Sequence, residues 1–508
     1  TRRALGAGGA QVVRQFLIEN VLATSAGGVL GIGLGATLLR GLQAFGLEEL
    51  PRANEIHMDL WVVGASMALA ILVGVLIGCA PLAQAFGMNL SRSLQEDGRS
   101  GTSGRSSNKV RQVLVAAQVG FAFVLLVGAG LLLASFRELL RVDPGFESNG
   151  VLTASLRMPS AAYQEGRDRA AFARRALEGI RAIPGVESAG ATSAIPLGSD
   201  RSDSVIFAEG YQMKPGESVI SPRQLRVTPG YFEAMGMKMV KGRAFDARDD
   251  EDAKAVIIVD ERLAERFWPN EDPIGRRMFQ PQSAETLMQV DENTRWLTVV
   301  GVVRSIRLSD LSGSGTAVGA YFFPYAQSPE GGFTLAVKTR GAPQALATAL
   351  RNEMARIDPE IALFDVKTMD ERADLSLSSR RTAMFLAVGF GVVALLLSAL
   401  GIYGVLAYSV SQRRREIGIR VALGSTTGKV MGLVAREGLV LALAGLALGA
   451  AGAVAMRGVM ASEIYGVGAL DPLVLGGVAL LLVGVAGTAA LIPARRASRI
   501  DPARALRA

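Results

Sequence analysis

One cysteine and one histidine, Cys79 and His57, serve the whole chain. No disulfide framework and no zinc site of Cys and His ligands can be built from that inventory. With a single histidine, neither a Ser-His-Asp arrangement nor a metal-histidine centre has support, and no carboxylate pair stands out on a common face. Aromatic residues make up 6% of the sequence and do not interleave with the arginine clusters, which argues against a stacking surface for nucleic acid. The acidic run Asp246 to Asp252 lacks the ligand spacing of an EF-hand and reads as a solvated loop. Neither a cofactor nor a metal is expected, and enzymatic function finds no machinery.

What the chain has instead is apolar length. Of its 508 residues 50% are hydrophobic and 20% charged, with a mean hydropathy of +0.31, the balance of a membrane protein with a substantial water-soluble part. Six segments reach the about 17 to 25 apolar residues needed to cross ~30 Å of hydrocarbon: roughly 19–43, 60–83, 112–135, 383–409, 433–456 and 470–493. Cys79 sits inside the second as a small apolar filler.

The end of the chain also repeats its beginning. Ala4, Leu5 and Gly6 recur as Ala422, Leu423 and Gly424, and in that register Val12 falls on Val430, Glu19 on Glu437, Gly27 on Gly445 and Gly31 on Gly449. After a short change of offset, Asp59 falls on Asp471, Pro81 on Pro493 and Leu94 on Leu506. So wide a separation means duplication of a large unit rather than a solenoid. The first copy opens inside that unit and is expected to lack its front.

Basic residues in short loops assign the sides of the membrane. Arg2, Arg3 and Arg14, then Arg92, Arg99, Arg105, Lys109 and Arg111, then Arg413 to Arg415 with Arg420, then Arg495, Arg496, Arg499, Arg504 and Arg507 all fall on one side. The other side receives Glu48, Glu49, Glu55, Glu463 and everything from about 137 to 380. The net charge of +8 is therefore a topology signal. Two nucleotide-like strings fail on inspection. Gly424 to Lys429 lacks the gap and the following hydroxyl residue of a phosphate-binding loop. Leu311 to Gly315 lies on the side where ATP is not supplied, so any ATP must be hydrolysed by another chain.

The extracytoplasmic segment alternates strand and helix patterns at both ends. Residues 151–157 and 186–192 read as strands around an amphipathic helix at 167–182. The order returns as a strand at 333–339, a helix from Ala342 to Ile357 and a strand from Ile361 to Val366. Two such βαβ units predict a split α/β layer around an insertion at about 203–328. Within the insertion 255–259 and 297–303 read as buried strands, and Asp260 caps a helix over 260–267.

The most specific string is RRREIGIRVALGS, Arg413 to Ser425, which predicts a short amphipathic helix at the headgroup level. Together with VDPGF at 142–146, TPGYFEAMG at 228–236, FWPNEDPIG at 267–275 and IPARRASRIDPARALR at 492–507, it resembles the MacB/FtsX-type ABC transporter permeases. The duplicated half is similar to their acidobacterial duplicated orphan branch. The resemblance covers the whole chain. It implies an α-helical bundle of six spans with a large α+β domain made of a porter-like βαβ layer and a β-rich insertion.

The boundaries that follow are 1–98 for the tail of a first FtsX-like unit, 99–111 for a linker and 112–136 for the second unit's first span. Residues 137–380 would be a MacB-like periplasmic core domain and 381–508 an FtsX-like permease domain of three spans. The resemblance further implies a multi-pass protein of the bacterial inner membrane with its C-terminus in the cytoplasm. It would be a non-enzymatic subunit that transmits motion from a separate ABC ATPase, which alone binds ATP, to the periplasmic domain, in efflux. The ATPase-coupling elbow would comprise Arg413, Arg414, Arg415, Glu416, Ile417, Gly418, Ile419, Arg420, Leu423 and Gly424, with Ala4, Leu5 and Gly6 as its remnant in the first copy. Expected partners are the lipid bilayer, that ATPase, a periplasmic adaptor or partner protein, and a second copy or an intramolecular pseudo-dimer. Glycine faces at Gly445, Gly449 and Gly452 and at Gly27, Gly31 and Gly35 would permit close helix contact. Regulation of a cell-wall hydrolase without transport, and lipoprotein extraction, are the alternatives.

Overall fold

The computed structural model describes residues 9–44, 58–86, 103–198, 202–281, 287–292, 294–308, 318–423 and 425–498. Ala4, Leu5, Gly6, His57, Leu94, Gly424, Leu506 and the string Leu311 to Gly315 lie outside them. The chain runs α1 (Gly9–Ala44), α2 (Leu60–Phe86), α3 (Ser103–Leu139), β1 (Val151–Arg157), α4 (Gly166–Arg181), β2 (Val186–Thr192), β3 (Phe207–Ala208), β4 (Arg223–Val227), α5 (Tyr231–Ala234) and β5 (Met239–Gly242). It continues β6 (Val256–Asp260), α6 (Glu261–Phe267), β7 (Arg277–Phe279), β8 (Leu297–Val303), β9 (Ala320–Pro324), β10 (Gly332–Thr339), α7 (Leu346–Ile357), β11 (Leu363–Thr368) and α8 (Met369–Gln412). It closes with α9 (Arg414–Ala422), α10 (Thr427–Ala455), α11 (Arg457–Glu463) and α12 (Pro472–Ser498). Two compact units divide it, one of Thr1–Leu126, Phe390–Val454 and Gly476–Ala508, the other of Val127–Gly389 and Ala455–Leu475.

The apolar segments are helices because a backbone in hydrocarbon must satisfy its own polar groups. Among the described residues, six helices are long and apolar enough to cross a membrane. In the first unit α1 and α2 form a hairpin closed at small residues, where a Cβ added to Gly28 would stand 2.9 Å from the Ala70 Cβ. The backbones of α3 and α10 approach in the same way, since a Cβ on Gly445 would lie 2.5 Å from the Val119 Cβ and one on Gly449 2.7 Å from the Phe123 Cβ. The repeat counterparts Gly27 and Gly31 have no atom within 4 Å of an added Cβ. The glycine repeat therefore marks one tight helix contact and one open face.

The second unit holds a mixed sheet. Its two βαβ segments interleave in the order β11-β1-β10-β2, with every neighbouring pair antiparallel. Helix α4 buries Phe172, Ala173, Ala176, Leu177 and Ile180, the stripe its spacing predicts, and packs with Leu350 and Met354 of α7 over Leu152 and Leu335. The sheet passes to the insertion through one pair, Thr192 with Val227, and runs on as β4-β9-β6-β8-β7-β3. A separate core of Ile257, Val259, Leu263, Phe267, Trp268 and Tyr321 fills the insertion. Asp260 caps α6 as expected, accepting from the Leu263 N–H at 2.9 Å.

One expectation is refined and another changes. The acidic run is a mostly exposed loop, as expected, but Asp249 within it is buried and takes the Arg243 guanidinium on both oxygens at 2.6 and 2.7 Å, while Glu251 meets Arg167 of α4 at 2.9 Å. The contact with α4 comes from a distant segment, which local charge density cannot reveal. The fourth apolar segment also begins its helix at Met369, well before the apolar stretch. The signal is Thr368 and Glu371, a reciprocal cap in which the Thr368 N–H donates to Glu371 Oε2 at 2.8 Å and the Glu371 N–H to Thr368 Oγ1 at 3.1 Å.

Candidate functional site

Helix α9 carries the predicted elbow, and its apolar residues form two rows instead of one. Residues four apart share a helix face. Ile417 is buried, 3% exposed, in a cluster with Val430, Val434, Ala494 and Ala497, and Val421 packs against the same cluster. Gly418 is buried beside Ile417. On the other face Ile419 is 42% and Leu423 82% exposed. Burying the Ile417 side chain contributes roughly 2 kcal/mol to holding α9 in place, whereas Ile419 is only half covered and Leu423 leaves most of its apolar surface exposed. Arg414 is exposed, and Glu416 and Arg420 bridge one turn apart at 2.6 Å with both side chains about half exposed.

Arg413 precedes α9 and reaches a different element. Its guanidinium lies 3.7 Å from the Glu437 carboxylate on α10. The same carboxylate accepts from the Ser409 hydroxyl of α8 at 3.2 and 3.3 Å and from Gln112 Nε2 of α3 at 3.4 Å. Nearby, the Arg111 guanidinium sits 4.1 Å from the centre of the Tyr408 ring, whose hydroxyl accepts from Gln412 at 2.8 Å. Motif reading alone does not select Glu437, Ser409 or Gln112. The available signal is the repeat itself, which sets Glu19 opposite Glu437 within two apolar segments.

In the second unit the first turn of α8 is tied to the sheet. Arg372, 5% exposed, donates to Thr153 Oγ1 at 2.8 Å, to the Asp365 carbonyl at 3.0 Å and to Asp365 Oδ2 at 2.7 Å. Asp365 has a left-handed φ of 48°, opposite the register shift between β1 and β11. Burial pushes its carboxyl pKa up, but the bonds from Lys367 and Arg372 outweigh this and hold it below the ordinary carboxylate value. The unit also contains a cleft of about 950 Å³ whose walls include Ser155, Arg157, Met158, Glu330, Phe333 and Phe364. That mixture of polar and apolar walls suits an amphipathic guest.

Comparison with known proteins covers most of the chain. A family model described as FtsX-like permease C-terminal matches residues 1–90 and 388–502. One described as MacB-like periplasmic core domain matches residues 120–356. The Macrolide export ATP-binding/permease protein MacB of Neisseria gonorrhoeae is 24% identical over 293 residues, 54% of this chain and 42% of that protein. MacB 2 of Aeromonas hydrophila is 26% identical over 288 residues, with the same shares. The chain thus spans less than half the length of the curated relatives it matches. Among solved structures, the periplasmic region of MacB from Actinobacillus actinomycetemcomitans aligns with 46% of this chain and 95% of its own, at 15% identity and a TM-score of 0.30. The extracellular domain of the ABC-type transporter YknZ aligns with 42% and 100%, at 14% identity and a TM-score of 0.27.

Proposed function

Since the chain belongs to the MacB/FtsX-type family of ABC transporter permeases, we propose that it transmits the motion of a separate cytoplasmic ABC ATPase to its mixed domain on the far side of the inner membrane, in efflux. The observation that carries this reading is the split of α9. One apolar row anchors the helix to the bundle and the other, Ile419 with Leu423, is exposed between charged neighbours, as a docking ridge must be. An exposed ridge on an anchored helix receives a push; an exposed ridge on a loose one would absorb it.

The arginine clusters support a cytoplasmic position for that ridge through the positive-inside rule. The mixed domain is then periplasmic, and residues 137–380 act as its core, with 381–508 and 1–98 as the two permease segments. The cleft of about 950 Å³ is the proposed contact for a hydrophobic or peptide-like cargo, and a periplasmic adaptor is the proposed outlet. Co-expression with candidate ABC ATPases of the same genome, followed by ATPase assays in nanodiscs, tests the reading. Stimulation by the parent chain that is lost in Leu423→Asp supports it. Stimulation that survives both Leu423→Asp and Ile419→Asp removes α9 from the docking site.

A further inference from the structure

Glu437 is an ionisable residue in an apolar span, a position that is costly to fill without a partner. Its carboxylate touches three other segments at once: Gln112 on α3, Ser409 on α8 and Arg413 at the start of α9. Each contact is at the long end of hydrogen-bond or ion-pair range, so none is strong alone. Their convergence is what distinguishes the site, because the carboxylate is 20% exposed and the cation it meets leads directly into α9. Ile417 and Val421 fix how deep α9 sits, but apolar contacts along one row are non-directional and leave the helix free to roll about that row. A charged contact at the helix start removes that freedom.

We propose that Glu437 is the positioning residue of the elbow: it fixes the orientation of α9 through Arg413 and passes any displacement of α9 to α3, α8 and α10 together. The inference deepens the permease reading and rests on it for the source of the push. The orientation of α9 itself can be measured without an ATPase. In the first copy Glu19 occupies the matching position, but it accepts from Gln15 on its own helix at 3.0 Å. It is therefore an internal control.

The test uses the full chain in nanodiscs, with Cys79→Ala as background and a nitroxide on Leu423→Cys, the exposed residue that caps the end of α9. Glu437→Gln and Arg413→Gln are each expected to shorten the rotational correlation time of the label at least about twofold, and the double variant is expected to add nothing further. Glu19→Gln is expected to leave the spectrum unchanged. The exchanged pair Glu437→Arg with Arg413→Glu is expected to recover part of the lost order, which a purely packing role would not do. Spectra of both Gln variants superimposable on the parent, or additive effects without recovery by the exchange, overturn the proposal. Should Glu437→Gln fail to fold, Arg413→Gln, an exposed side chain, decides alone in the same terms. Failure here leaves Ile419 and Leu423 standing as a docking ridge, and failure of ATPase stimulation leaves the joint at Glu437 standing.

Discussion

Ile417 and Ile419 lie two positions apart in one string, and the helix turns them to opposite fates. A charge at Ile417 would enter an apolar cluster, so Ile417→Asp is expected to cost several kcal/mol and release α9 from the bundle. Leu423→Asp, at an open position, is expected to change stability within about 0.5 kcal/mol while removing the docking surface. Thermal unfolding in detergent beside ATPase stimulation separates the two; equal loss of stability would show that Leu423 is not a surface residue. Asp365 gives a second test at this scale. Its folded pKa lies below the unfolded one, so its stabilising contribution is complete above the unfolded value of about 3.9 and disappears as pH falls through the folded value. The melting difference between parent and Asp365→Asn should therefore be constant from about pH 7 to 5 and close below about pH 4. A difference that persists in strong acid would show that the side chain acts by shape and not by charge.

At the scale of elements, the tight contact of α3 with α10 makes a sharp prediction from the repeat. Gly445→Val must drive its methyls into Val119, at an expected cost of about 1 to 3 kcal/mol, whereas Gly27→Val, with no atom near its Cβ, should melt as the parent does. Equal melting temperatures for the two variants would contradict the contact. The same asymmetry explains what could be read in advance. Sequence pattern located the strands at 151–157 and 186–192 and the α4 stripe, although only α4 shows burial at its expected spacing, β1 being buried at six successive positions. It could not locate the start of α8, where polar residues continue a helix whose signal is the cap at Thr368 and Glu371. Nor could it separate the two rows of α9 or bring Arg413 to Glu437, since pairing across elements is a property of packing. The string Arg413 to Ser425 stood out in the sequence, but the buried and exposed faces of α9 are seen only in the structure.

For the whole molecule, the proposed transmission would run along α8, the helix that continues from one unit into the other. Its 44 residues form one helix of about 66 Å at 1.5 Å per residue, about twice the ~30 Å of hydrocarbon. Its first turn is held to the sheet by Arg372 and its last by Ser409 and the neighbouring Arg413 at Glu437. Each end is thus held within its own unit, and α8 is a continuous chain between them. Val392, half exposed and away from both ties, is the place to introduce slack. Val392→Pro removes a helix hydrogen bond and kinks α8 at a cost of about 3 kcal/mol, while Val392→Ala keeps the helix and serves as its control. In a complex with its ATPase, the proline variant should still bind at the elbow but no longer change hydrogen exchange in β1 and β11 when ATP is added. The alanine variant should behave as the parent. If ATP alters exchange in the sheet equally in the proline variant, the push travels by another route and α8 is only a tether.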